Sequence, residues 1–302
     1  MTYNPFTAET HYNQEDAELA IAAAAGDKQA LEALIRRHQG WIYNMAVRMV
    51  LNPQNAQDIT QEALLKIVTR IAQFEGRASF RTWAYRIVTN CFLDSKRGPI
   101  ESVFSGFEAY GDDLDAIDNK DLQLAIEDEP DRVLIIEEAK VGCMLGMLLC
   151  LTREQRLVYI LADIFEASAP IAADILAITP GNFRQKLSRA RRDLHSFMQN
   201  KCGLVDLSNP CRCERKASGF MKEGWLDPNQ LKFTGTHLKN MKDKAELETQ
   251  PLDEFADNAY GQLYRQHPLQ EPLEGTGEGV DRILIRLLDS SECHRIFDLS
   301  RS

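Results

Sequence analysis

The 302-residue sequence lacks several features that would decide its class at once. No hydrophobic run approaches the ~20 residues of a membrane span, and runs such as Val141 to Leu151 fall far short of it. The first ten residues have no basic cluster followed by an apolar stretch, so we expect no secretory signal. There is no repeat at the usual periods and no low-complexity tract. These absences predict a globular cytoplasmic protein without a membrane span.

An excess of positive charge is also missing. The 35 Lys and Arg residues are outnumbered by 45 Asp and Glu, giving a net charge of −10, which argues against a uniformly basic nucleic-acid coat. The deficit is local, because residues 101–131 hold eleven acidic residues and one basic residue. Phosphate contacts need local cations rather than a basic chain, so residues 1–100 and 132–199 remain candidates for DNA binding.

Helical periodicity dominates both candidate parts and predicts an all-α protein. The first part is interrupted at Gly26-Asp27, Asn52-Pro53, Glu75-Gly76 and Gly98-Pro99, which predicts a helical bundle over residues 1–98. A capping box at Thr152 to Gln155 and an N-cap with proline at Thr179-Pro180 predict a second helical domain over 132–199. Residues 99–131 are acidic and contain Gly, Ser and Pro, so we expect a flexible extended linker that covers basic surfaces of the free protein. Residues 200–302 form a cysteine-containing extension of mixed or α fold.

Two segments carry a nucleic-acid signal. Residues 169–195 read as a helix-turn-helix, in which the second helix would enter the major groove, and five cations follow one another there without an acid: Arg184, Lys186, Arg189, Arg191 and Arg192. The alternative is a basic amphipathic helix on a bundle surface. The segment Phe74 to Arg97 mixes aromatic and basic residues, as sites that stack unpaired bases do. Its aromatic residues Phe80 and Trp83 also fit an ordinary helical core.

These residues carry a family resemblance. DITQEALLKIVTRIAQFEGRASFRTWAYRIVTNCFLDSKR (Asp58 to Arg97), followed by LTREQRLVYILADIFEASAPIAADILAITPGNFRQKLSRARRDL (Leu151 to Leu194), resembles bacterial RNA polymerase sigma factors of the extracytoplasmic-function group. The resemblance covers about residues 16–198. It implies two helical DNA-binding domains on a flexible linker, promoter DNA and core RNA polymerase as partners, and an anti-sigma protein as a further candidate partner.

The resemblance also implies roles for individual residues. Asp58, Gln61 and Glu62 correspond to the stretch that docks on the largest polymerase subunit. Contacts to the proximal promoter element and its melted strand are implied for Arg77, Ser79, Phe80, Arg81, Trp83, Tyr85, Arg86, Asn90 and Arg97. Contacts to the distal element are implied for Asn182, Arg184, Lys186, Arg189 and Arg192.

The extension contains three closely spaced cysteines, Cys202, Cys211 and Cys213, which look like the cysteine-bearing extension of some members of the group. Three thiolates need a fourth ligand for a tetrahedral zinc site, and His195, Cys293 or His294 could supply it. A redox or soft-metal sensor and reduced structural cysteines are the alternatives. No cofactor is required for the expected function, and Cys91, Cys143 and Cys150 are predicted to be core residues.

The sequence therefore predicts a sigma factor that is not an enzyme, with an extension that regulates it in cis. The alternative is a helix-turn-helix regulator that acts without polymerase, although such a protein has no need of the Phe74 to Trp83 segment. An enzyme is disfavoured, because residues 200–302 contain no nucleophile triad, phosphate loop or HExxH pattern.

Overall fold

The computed structural model of the protein describes residues 6, 14–122 and 129–234. Within these ranges the regular elements are all helical and no strand occurs, which confirms the predicted fold class. No helix in the described ranges is long and apolar enough to cross a membrane. Residues 235–302 of the predicted extension lie outside the described residues.

The first unit is a bundle of four helices: α1 (Gln14–Ala24), α2 (Lys28–Val50), α3 (Pro53–Arg70) and α4 (Phe80–Asp94). The predicted breaks separate them, and side-chain caps explain where they begin. Asp27 Oδ1 accepts from the backbone N–H of Gln29 at 2.9 Å, and Asn52 Oδ1 accepts from Asn55 at 2.8 Å. The apolar stripe of α3 from Ile59 to Val68 faces the bundle core. A single 3-10 turn, Ile71–Gln73, follows α3.

The second unit contains α7 (Glu129–Leu149), α8 (Arg153–Tyr159), α9 (Ala169–Ile175) and α10 (Pro180–Lys201), with a π-helical turn at Ile160–Ile164 after α8. The capping box is confirmed, since Gln155 N–H donates to Thr152 Oγ1 at 3.2 Å and Thr152 N–H donates to Gln155 Oε1 at 3.1 Å. Helices α9 and α10 form the predicted helix-turn-helix. Its inward side is formed by Phe183, Leu187, Ala190 and Leu194.

The prediction of an extended linker is wrong over residues 99–122. Two helices form there, α5 (Pro99–Val103) and α6 (Phe107–Ala116), and the apolar side chains Tyr110, Leu114, Ile117 and Leu122 are buried. Burial of these side chains outweighs the repulsion among the intervening carboxylates, which point outward. Residues 123–128 lie outside the described part.

The acids of this segment pair with cations of the extension and the end of α10. Asp115 bonds Lys201, Asp121 Oδ1 lies 3.1 Å from Arg215 Nε, and Asp118 Oδ2 lies 3.4 Å from Lys222 Nζ. None of these partners belongs to the basic series from Arg184 to Arg192. The prediction that the acidic segment covers the DNA-facing surfaces therefore finds no support in the described residues.

The extension begins as a continuation of the second unit. Helix α11 (Cys213–Lys222) packs against α7, and the buried Lys216 ammonium donates to the carbonyls of Leu114 and Ile117, at 2.6 Å each. Further along, the Glu138 carboxylate of α7 accepts backbone N–H bonds from residues 232–234. The described part of the extension is thus tied to α6 and α7.

The two units share one hydrophobic core, and a buried arginine network joins them. Glu101 of α5 forms a bidentate pair with Arg153, at 2.9 and 2.6 Å, and lies 3.2 Å from Arg156. Arg153 also donates to the carbonyls of Phe92 and Ser95 at the end of α4. The network therefore fixes the start of α8 against the end of α4.

Candidate nucleic-acid interface

The recognition helix α10 presents a basic outer side. Asn182, Arg184, Arg189 and Arg192 are exposed, whereas Phe183 is buried in the core. In the described part of the chain, no carboxylate lies within 4 Å of Arg184 or Arg189. Both guanidinium groups are therefore available to a phosphate or a guanine edge.

Other cations of α10 are held by acids. Lys186 pairs with Glu154 of α8, and Arg191 forms two bonds to Asp163, at 3.0 and 2.5 Å. Arg191 thus links α10 to the π-helical turn and does not face DNA freely. The exposed outer side also includes Gln185 and Ser188, which were not among the predicted DNA contacts. Both are polar and lie next to Arg184 or Arg189 in the sequence, and this pattern could have identified them.

In the first unit, three of the predicted DNA contacts are exposed: Arg77, Asn90 and Arg97. Ser79 is partly exposed and caps α4, accepting from the N–H of Thr82 at 3.2 Å. Trp83 is also partly exposed, and its ring centroid lies 5.6 Å from that of Phe74 and 5.8 Å from that of Phe80. The aromatic cluster thus combines a core role with one accessible edge, so the two predicted roles of Trp83 remain compatible.

Direct DNA contact by Phe80, Arg81 and Tyr85 is contradicted by their burial. Tyr85 has no exposed surface, and its ring lies 4.9 Å from the ring of Phe6 and 6.3 Å from that of Phe165. Phe80 packs beneath Trp83 and beside His38, with ring centroids 5.1 Å apart in the second pair. These side chains hold α4 in the core. The prediction failed because helical spacing in a sequence does not distinguish a ring that stacks on a base from a ring that packs in the core.

Arg81 belongs to a buried ion cluster around Asp16 of α1. Arg81 Nε and Arg37 Nε each lie 2.9 Å from a carboxylate oxygen of Asp16, and His38 Nε2 lies 3.1 Å away. Burial alone would raise the pKa of Asp16, but hydrogen bonds and charges from His38 and Arg81 outweigh it and hold that pKa well below its usual value. Arg81 is therefore a structural residue that holds α4 against α1.

Arg86 connects the two candidate DNA-binding units. Its guanidinium group donates to the carbonyl oxygen of Asp174 in α9 at 2.6 Å and to Asp174 Oδ1 at 2.7 Å. Arg86, a predicted contact to the proximal promoter element, is thus bonded to the first helix of the helix-turn-helix. About half of the surface of each side chain in this pair remains exposed, so a phosphate could reach Arg86 and compete with Asp174.

The predicted docking residues lie on α3, on the side opposite its buried stripe. Asp58 and Glu62 are exposed, and Gln61 is partly exposed. Glu62 Oε1 lies 2.7 Å from Lys66 Nζ one turn further along. The resulting surface is acidic at its centre, and a basic partner would complement it.

The cysteines differ in burial, and no group of three or more His, Cys, Asp or Glu side chains in the described ranges could hold a metal ion. Cys91 is buried as expected, whereas Cys143 and Cys150 are partly buried and pack against the core. Cys202, Cys211 and Cys213 are also partly buried. Burial raises the pKa of each thiol, to about 12 for Cys213. His195 instead packs against the ring of Tyr159, with centroids 6.0 Å apart. Cys293 and His294 lie outside the described residues.

Comparison with known families accounts for both units. The Sigma-70 region 2 family matches residues 34–98, and the Sigma-70 region 4 family matches residues 142–194. The chain is 28% identical over 192 residues to the ECF RNA polymerase sigma factor SigE of Mycolicibacterium smegmatis, covering 62% of this chain and 69% of that protein. It is 26% identical over 190 residues to the RNA polymerase sigma-H factor of Pseudomonas aeruginosa, covering 62% of this chain and 95% of that protein.

Similar values hold for the ECF RNA polymerase sigma factor SigW of Bacillus subtilis, at 28% identity over 180 residues, 58% of this chain and 92% of that protein. A solved structure of CnrH in complex with the cytosolic domain of CnrY has 24% identity and a TM-score of 0.42 and covers 61% of this chain and 97% of that one. Both Sigma-70 regions are therefore present in order on this chain, and the chain is similar to sigma factors of the ECF group.

Proposed function

We propose that this protein binds core RNA polymerase and directs it to a restricted set of promoters. The first unit docks on the polymerase through the acidic side of α3 and engages the proximal element. Helix α10 reads the distal element. A sigma factor performs no covalent chemistry, so no catalytic residue is assigned.

The observation that carries the proposal is the presence of both sigma regions, in order, on one chain. The basic outer side of α10 and the exposed acids of α3 support it, because they suit DNA and a basic protein surface respectively. A regulator that acts without polymerase would need the basic side of α10 but not the exposed acids of α3. We place the protein in the cytoplasm, where its polymerase and promoters are.

The docking assignment is tested by Asp58→Ala with Glu62→Ala. We expect about tenfold weaker binding to core polymerase, equivalent to about 1.4 kcal/mol, because two exposed charges facing a basic partner are lost. Binding is measured with labelled full-length protein at two salt concentrations.

The matched control is Glu108→Ala with Asp112→Ala, which removes two exposed acids of α6 and causes the same change in net charge. Equal affinities of the docking variant and this control would remove α3 from the interface. In vitro transcription with core polymerase supplies the overall test, since failure of the wild-type chain to support initiation at any promoter would contradict the proposed function.

A second prediction concerns the bond between Arg86 and Asp174. Asp174→Ala removes the carboxylate but leaves the backbone carbonyl, so Arg86 becomes easier to transfer to a phosphate. An exposed pair is worth about 0.2–1 kcal/mol, so affinity for nonspecific DNA should rise by at most about fivefold. Fluorescence anisotropy with a labelled duplex at low salt measures this affinity.

Glu108→Ala is again the control, because it changes the net charge equally without touching Arg86. If both variants gain the same affinity, the effect is one of overall charge and the Arg86 bond does not restrict DNA binding.

A further inference from the structure

Residues 210–222 of the extension, which we call the strap, lie against the C-terminal end of α6. The strap places the buried Lys216 ammonium 2.6 Å from the carbonyl oxygens of both Leu114 and Ile117. The last carbonyls of a helix have no partner within that helix, and a cation near them is favourable. Lys216 therefore caps α6 from a part of the chain about 100 positions away.

Two further contacts bring the strap close to the residues that follow α6. A Cβ atom added at Gly219 would lie 2.3 Å from Ile117 Cγ2 and 2.7 Å from the carbonyl oxygen of Asp118. Both distances are too short for non-bonded atoms, so only glycine fits there without a shift of the strap. The side-chain amide of Asn119 donates to the carbonyl of Pro210 at 2.9 Å. The strap thus holds the end of α6 mainly through side-chain length and close backbone approach.

The sequence of α6 opposes helix formation without these contacts. The helix is 10 residues long, and isolated helices shorter than about 12–15 residues are marginal in water. Asp112, Asp113 and Asp115 lie near its C-terminal end, where the helix dipole makes acidic side chains unfavourable. The folding of α6 therefore depends on tertiary contacts, and the strap supplies the cation that its last carbonyls require.

While α6 is folded, it belongs to the second unit. Its first residue, Phe107, packs on α10, with its ring centroid 5.2 Å from that of Phe197. Residues 99–106 are then the only part of the segment that can extend between α6 and the first unit. Fully extended at about 3.4 Å per residue, residues 99–106 span about 27 Å, whereas residues 99–122 span about 80 Å. The strap thus limits how far the two units can separate.

The two units touch at surfaces that we assign to DNA reading. Arg86 of α4 bonds Asp174 Oδ1 in α9 at 2.7 Å. The chain from Asp174 to Arg184 is ten residues long and spans at most about 36 Å, which is about one turn of DNA. In this closed arrangement, α4 and α10 cannot reach two promoter elements that lie much further apart than one turn. A wider spacing requires the units to separate.

We propose that the strap keeps α6 folded and thereby holds the protein in this closed state until it meets its partners. The strap is then an autoinhibitory contact within the chain. When only the open state binds, the apparent affinity for core polymerase is proportional to the open fraction. A variant with a tenfold larger open fraction should therefore bind core polymerase up to about ten times more tightly. This gain in affinity rests on the proposed function, whereas the closed state of the protein alone does not.

Two variants of the full-length chain release the strap, and each has a matched control. Lys216→Met removes the cap of α6, and its control is Lys232→Met, which removes the charge of an exposed lysine of the extension. Gly219→Ala forces the strap away from Ile117, and its control is Gly142→Ala in α7, where the added Cβ would have its nearest neighbour, Phe233, at 4.0 Å. Each strap variant should raise the fraction of open molecules about tenfold over its control.

Single-molecule energy transfer measures the open fraction without polymerase or DNA. The dyes are placed through unnatural amino acids at Ile21 of α1 and Ser188 of α10, which are both exposed. Hydrogen exchange with mass spectrometry is the second measurement. In the strap variants, residues 107–122 should lose protection while α2 keeps it, which separates release of the strap from general unfolding. Asn119→Ala removes one hydrogen bond of the strap and should raise the open fraction about threefold.

The proposal is overturned if residues 107–122 lose protection and the units stay closed, or if the strap variants leave that protection unchanged. It is also overturned if the wild type is already mainly open. If the larger variants unfold as a whole, Asn119→Ala decides in the same way. Open units without tighter binding to core polymerase would contradict the autoinhibitory role. If neither the wild type nor any variant binds core polymerase, the proposed function fails, while the energy-transfer result still decides whether the strap closes the protein.

Discussion

Replacing Arg156 with methionine is expected to lower the free energy of unfolding by about 3–5 kcal/mol, the range seen when one partner of a buried ion pair is removed. The Arg156 side chain is 1% exposed. It donates to the carbonyls of Leu148, Leu149 and Leu151, at 2.9, 3.2 and 3.1 Å, and to that of Met49. Methionine fills a similar length but donates to none of these groups.

The loss has two sources. The carbonyls at the end of α7 and at Met49 of α2 would each lose the hydrogen bond from Arg156, although Leu148 keeps the bond from the N–H of Leu151. A buried acceptor that is left without a donor costs about 1–3 kcal/mol unless water reaches it. Glu101 would also keep only Arg153 as a partner in the network. Because part of the loss comes from the weakened pairing of Glu101, the effects of Arg156→Met and Glu101→Gln should be less than additive.

Urea denaturation followed by circular dichroism measures the change. The matched control is Arg36→Met, an exposed arginine of α2 whose bond to Glu32 spans one turn, for which we expect a loss of about 0.5 kcal/mol or less. Small-angle scattering shows whether the units also separate, since Arg156 bonds groups in both. Equal losses for Arg156→Met and Arg36→Met would mean that the network does not hold the two units together.

Features that depend on neighbours in the sequence were predicted well. The caps at Thr152 and Thr179 and the break at Asn52-Pro53 follow from interactions within one or two turns, and the structure confirms them. The helix-turn-helix follows for the same reason. Local chemistry decides where such helices begin and which side they bury.

Features that depend on tertiary contacts were not predicted. Asp16 and Arg81 are 65 positions apart, and neither is unusual for an exposed helix residue until the bundle brings them together. In residues 101–122, acidic composition concealed the spacing of Tyr110, Leu114 and Ile117, which fits one helical side. Composition was a poorer guide than periodicity there.

The DNA-reading residues of α10 should separate into two classes when each arginine is changed alone. Arg184 is the fifth residue of the helix, and the N-terminal residues of a recognition helix approach base edges. Arg184→Ala should therefore cost about 1–3 kcal/mol at one base pair of the distal element and relax the preference there. Arg189 and Arg192 lie one and two turns further along, where phosphates are the expected partners.

Arg189→Ala and Arg192→Ala should weaken binding nearly equally for every sequence and lower the slope of log affinity against log salt by about one. The measurement compares holoenzyme binding to a promoter and to the same DNA with a scrambled distal element, across a salt series. Arg215→Ala serves as the control, because it removes one cation from α11, where Arg215 already pairs with Asp121. If Arg184→Ala weakens both DNAs alike, Arg184 contacts phosphate and base reading moves to Asn182 and Gln185. If none of the three variants differs from the control, α10 does not read the promoter.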